Sequence, residues 1–163
     1  MMIRRGGVHA LVSTALTVAA VVLALAASPL QAQVKIDNAW VRGAVPGQLA
    51  TGAFLDITSA RDATLVKAES TIAAATEVHA MEMKNNLMTM REVSKVDLPA
   101  GKQVRLAPGG LHIMLMDLKQ PVKNGDMVAL RLTIEYADKK RETVDVNAQV
   151  RGLGTSQEHQ HQK

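Results

Sequence analysis

The chain has 163 residues, no cysteine, 19 Lys and Arg against 15 Asp and Glu, and a formal net charge of +4 at pH 7. The missing thiol excludes disulfide staples, cysteine nucleophiles, zinc–thiolate sites and thiol redox pairs. The charge is small and dispersed, which argues against a nucleic-acid partner, and only three of the residues are aromatic.

Residues 1–32 read as an export signal: Arg4 and Arg5, an uncharged and mostly apolar run over 10–27, and a cleavage position near Ala32. An uncleaved anchor is the alternative, since spanning a bilayer takes about 20 apolar residues. The Ala, Ser and Thr content of the run favours a signal. Removal leaves 131 residues with 17 basic and 15 acidic side chains, the length of one domain with its own core.

Residues 34–42 alternate weakly. Residues 51–58 and 63–67 read as short strands, and 69–75 as the one stretch that could hold a helical turn. Residues 76–83 and 87–93 form a candidate hairpin around Lys84, Asn85 and Asn86. Residues 103–107 and 111–118 flank the Pro108–Gly109–Gly110 turn. Beyond a loop with Pro121 and Asn124–Gly125, Val128, Leu130, Leu132, Ile134 and Tyr136 share one face of a strand over 127–136. Lys139, Lys140 and Arg141 read as a turn, and Val144, Val146, Ala148 and Val150 repeat the period of two. About eight short strands predict an all-β sandwich or barrel over 33–150. Residues 151–163 read as a flexible polar tail.

The methionines are unevenly placed. Met81, Met83, Met88, Met90, Met114 and Met116 lie within 38 residues that also hold His79 and His112. Methionine could fill a core short of aromatics, but the alternation argues otherwise. In 111–116, Leu111, Ile113 and Leu115 occupy one face, while His112, Met114 and Met116 occupy the other. His79, Met81 and Met83 repeat the pattern opposite Val78 and Ala80, and Met88 shares a face with Met90. Neutral thioethers and imidazoles suit soft, singly charged Cu(I) better than Zn, Fe(II) or Mg. A blue-copper centre is excluded for want of a Cys thiolate.

His79, ten intervening residues, Met90, twenty-one more, then His112–x–Met114 is a spacing that resembles the PCu(A)C family of periplasmic copper chaperones. AWVR at 39–42, PGQ at 46–48, TGAF at 51–54 and PGGLHIMLMDLKQP at 108–121 extend the resemblance over about 38–150. It implies a cupredoxin-like barrel in the periplasm and a Cu(I) site of His79, Met90, His112 and Met114. It further implies delivery of copper to the CuA site of cytochrome c oxidase subunit II, alongside a Sco-type thiol protein, with the membrane met only through that partner.

Met81, Met83, Met88 and Met116 are expected as a soft shell, a landing surface or ordinary packing, and Trp40 as core rather than site-adjacent. His159 and His161 are a candidate Cu(II) site, with a solvated chain end as the alternative. No phosphate loop, nucleophile elbow or H-E-x-x-H helix points to an enzyme. A copper-sequestering protein without a delivery target is the other reading, and a Met-grooved assembly module a third.

Overall fold

The computed structural model describes residues 33–152. The expected signal over 1–32 and the tail residues His159 and His161 lie outside the described residues. Among the described residues there are ten strands: β1 (Val34–Arg42), β2 (Ala50–Ser59), β3 (Ala63–Ser70), β4 (Ala73–Lys84), β5 (Leu87–Glu92), β6 (Val96–Leu98), β7 (Gln103–Leu106), β8 (His112–Leu118), β9 (Met127–Tyr136) and β10 (Arg141–Arg151). The all-β expectation therefore holds. The helical turn expected at 69–75 is absent: Glu69 and Ser70 end β3, and β4 starts at Ala73 after the turn residues Thr71 and Ile72. Helix propensity in the alanines 73–75 loses to tertiary packing, since Ala73 and Ile72 are both buried. Strand β6 was not foreseen, being too short to show a period.

The strands follow the order β5-β4-β8-β2-β1-β10-β9-β3-β6, with β7 also paired to β2. The β1–β10 pair is parallel and every other named pair is antiparallel. Strands β3 and β4 stand near opposite ends of this order, yet only two residues separate them. So short a connection forces the sheet to curl until its ends meet, and the curled sheet encloses one core. Ala53, Leu55 and Ile57 of β2, Ile113 and Leu115 of β8, Leu130, Leu132 and Ile134 of β9, and Ala148 and Val150 of β10 all belong to it. Each fully buried Leu or Ile contributes roughly 1.5–3 kcal/mol.

Strand β1 explains its own weak alternation. Between Asp37 and Trp40 the register against β2 shifts by one residue, with Asn38 at a positive φ of 53°. Such a bulge inserts one unpaired residue and exchanges the faces beyond it. Val34 and Ile36 thus point to the core before the bulge and Val41 after it, leaving Trp40 on the opposite, outer face. The Asn38 amide donates to Asp56 (2.8 Å), a buried carboxylate that also accepts from Arg105 (3.2 Å).

At the far end of the core, Tyr136 is buried and its hydroxyl donates to Glu142 across the β9–β10 hairpin. Burial, then the Glu142 carboxylate, pushes the phenol up to about 12. A raised folded-state value means that the neutral phenol stabilises the fold fully below its unfolded value of ~10, and that this stabilisation is lost as pH rises through about 12. Tyr136 is the chain's single tyrosine, so a tyrosinate absorbance titration reads it alone. The midpoint is expected near 12 in buffer and near ~10 in denaturant. Equal midpoints would refute this.

Candidate metal centre

Directly opposed residues of an antiparallel pair point to the same side of the sheet. Strand β4 pairs with β8 so that His79 faces His112, Glu77 faces Met114 and Ala75 faces Met116. On the other side of β8, Gly52 of β2 faces Met114 and Ala50 faces Met116. Val78 and Ile113 pair inward and are buried in the core. The period-two pattern therefore delivers His79, His112 and Met114 to one patch on the outer face. His79 and Met114 are diagonal neighbours, which corresponds to about 7–8 Å between backbones.

The two imidazoles lie 6.0 Å apart between ring centroids and 57° from coplanar. Each has one nitrogen engaged. His112 Nδ1 is 2.9 Å from the Gly110 carbonyl oxygen, which can only accept, so Nδ1 carries the proton and Nε2 keeps its lone pair. His79 Nε2 is 2.8 Å from the Glu77 carboxylate and donates to it, leaving the lone pair on Nδ1. That His79 Nδ1 is the single buried side-chain N or O atom without a hydrogen-bond partner among the described residues. A buried lone pair without a donor is costly in a purely structural site. It is the arrangement metal-ligating histidines use, with an outer carboxylate or carbonyl fixing the ring.

An aromatic floor adjoins the pair. Phe54 lies 6.3 Å from His112, and Trp40 stacks on Phe54 at 4.4 Å. Gly52 makes room for this floor: a Cβ there would sit 2.8 Å from Phe54 Cζ. The guanidinium groups of Arg42 and Arg151 lie over Phe54 (5.5 Å) and Trp40 (5.3 Å). The expectation that Trp40 belongs to the core is corrected by the β1 bulge, which sets it half-buried on the outer face beside the site.

Met90 stands further off. On β5 it faces Met81, while His79 faces Glu92. It is thus diagonal to His79 and separated from His112 by the width of β4, with half its surface exposed. Three flexible bonds allow its thioether to fold across β4 towards the imidazoles. Met81, Met83 and Met88 continue the outer face along the hairpin, Met83 opposite Met88, and Met116 flanks Met114 from the other end. Glu77 was missed in the sequence. Its signal was the Glu77–Val78–His79 spacing, which sets a carboxylate on the same strand face as the imidazole. The donor set is therefore not free of nearby negative charge, as the composition of the Met and His cluster had suggested.

Among proteins of known sequence, "Putative lipoprotein Lxx21020" of Leifsonia xyli subsp. xyli is 37% identical over 139 residues, covering 76% of this chain and 81% of that protein. Two sets of solved structures share the fold. The copper-bound PCuAC domain from PmoF2 superposes with a TM-score of 0.61 at 21% identity, over 75% of this chain and 95% of that one. Apo-DR1885 from Deinococcus radiodurans gives 0.56 at 28% identity, over 76% and 82%. The resemblance to PCu(A)C proteins thus recurs in the architecture. The family model that matches, over residues 34–150, is the one described as "Putative lipoprotein LpqE-like", and the chain belongs to that LpqE-like family.

Proposed function

We propose that this protein is a non-catalytic copper carrier. It takes one Cu(I) as cargo on His79, Met90, His112 and Met114, and delivers it to the CuA site of cytochrome c oxidase subunit II. The observation that carries the reading is the pair of opposed imidazoles, each with one nitrogen fixed by an acceptor and the other left with its lone pair. The copper-bound state of the PCuAC domain from PmoF2, a protein of the same fold, supports it. Export to the periplasm follows from the leader pattern of residues 1–32 and accords with the lipoprotein descriptions of the family and of the Leifsonia protein.

The donors suit a cargo. A singly charged ion gains from neutral thioethers and imidazoles without the deep burial of a double charge. The Glu77 carboxylate balances the charge through His79. His112 is buried, whereas Met90 is half exposed. The most exposed donor can leave first, so that a partner's ligand enters before the imidazoles let go.

In a competition titration with a Cu(I) chelator, His112→Ala and Met114→Ala are expected to weaken binding by about tenfold or more. Met127→Ala, on the exposed side of β9, is expected to leave it unchanged. Equal affinities across the three variants would refute the site, as would an X-ray absorption spectrum of the reduced protein without sulfur neighbours.

Glu77→Gln tests the outer contact. Losing the carboxylate that holds His79 Nε2 is expected to cost about 10- to 100-fold in Cu(I) affinity. An unchanged affinity would reduce Glu77 to a surface ion-pair partner. Delivery is tested by mixing the copper-loaded protein with an apo CuA fragment of subunit II and following the CuA absorption. Binding without transfer would assign the chain to sequestration.

A further inference from the structure

The β4–β5 hairpin projects beyond the core, and every residue of β5 is exposed. Its two-residue turn, Asn85–Asn86, has positive φ at both positions, 50° and 62°. Asparagine tolerates this conformation, and turns of this kind match the twist of the strands they join. The turn therefore sets the register that follows: Met83 opposite Met88, then Met81 opposite Met90. Opposed side chains share a face with Cβ atoms about 4.5–5.5 Å apart. Four thioethers thus form two adjacent rows, which lead to the row of His79 and His112.

No charged side chain interrupts the two methionine rows; Glu92, on the same face, stands in the next row, opposite His79. Glu82, Lys84 and Arg91 belong to the opposite face of the hairpin, where Arg91 donates to Glu82 at 2.5 and 2.8 Å. Nor are the outer thioethers filling a core: Met83 is 66% exposed and Met88 47%. Packing therefore does not account for them, and a solvent-facing thioether is open to oxidation. Two opposed methionines with long, flexible side chains can converge on one ion, because metal–sulfur bonds of about 2.3 Å are short compared with the side chain's reach.

We infer that Met81, Met83 and Met88 form a second, thioether-only site for a soft monovalent ion, Cu(I) or its probe Ag(I), across the first and second rows out from the histidine pair. This site uses none of the histidines, and Met90 borders both sites. Ion exchange between the two would be a substitution of one neutral donor for another, with no electron or proton moved.

The test uses the full chain labelled with 13C at the methionine methyls and titrated with Ag(I) in NMR, with bound ions counted by native mass spectrometry. The Met81, Met83 and Met88 methyls are expected to shift within the first two equivalents. Met83→Leu/Met88→Leu, which preserves volume, is expected to bind one ion fewer while the Met114 methyl still responds. If the three hairpin methyls stay fixed through two equivalents, or the double variant keeps the full count, the second site is refuted. A response at the hairpin with none at Met114 would instead refute the histidine-containing centre and leave the hairpin site standing.

Discussion

The antiparallel register in which His79 lies opposite His112 is the constraint on which the outer face depends. A slip of one residue would turn every β4 side chain to the other side of the sheet, setting His79 into the core and Val78 into water. The inward pairs prevent that slip. Val78 lies against Ile113, Thr76 against Leu115, and both Ile113 and Leu115 are wholly buried. The Met81 amide donates to the Gly110 carbonyl at 3.2 Å, the same oxygen that orients His112. One backbone group thus ties the hairpin register to the imidazole tautomer. The hydrophobic effect supplies the energy, and the pleat converts it into the placement of polar donors on the far side.

Much of this was legible in the residues, because the period of two carries both halves of the information. Strands β8, β9 and β10 have clean alternation and were found within a residue or a few of their ends. The same alternation sets His112, Met114 and Met116 on one face of β8, and the register agrees. Strand β1 was blurred for a physical reason: the bulge between Asp37 and Trp40 re-phases the strand, so a strict alternation test scores half of it wrongly and sends Trp40 to the core. Strands β3 and β4 were shortened at the corner between them, where two residues sufficed and an alanine run imitated a helix. The surroundings of the two histidines were less legible than the strand face they share. Glu77 is two residues from His79, but acidic residues are common on solvent-facing strand positions, and only the hydrogen bond sets this one apart.

Burial is graded along the outer face. His112 is enclosed between Phe54 and β4, His79, Met81 and Met114 are partly covered, and Met83, Met88 and Met90 stand in solvent. Preorganisation follows the same gradient, because a side chain locked by neighbours and a hydrogen bond loses little freedom on meeting an ion, whereas an exposed methionine loses more. The imidazoles thus form the rigid part of the face and the thioethers of β5 the adaptable part.

Trp40 gives this protein an internal optical probe. It is the chain's single tryptophan, it stacks on Phe54, and Phe54 touches the His112 environment. Its indole lies 5.3 Å from the Arg151 guanidinium and 4.4 Å from the Phe54 ring, so its excited-state dipole senses both a positive charge and the aromatic floor. Any event that shifts Phe54 or adds a cation beyond it changes that field. The emission colour of the unlabelled protein therefore reports the state of this patch in real time, in dilute solution and without a mutation.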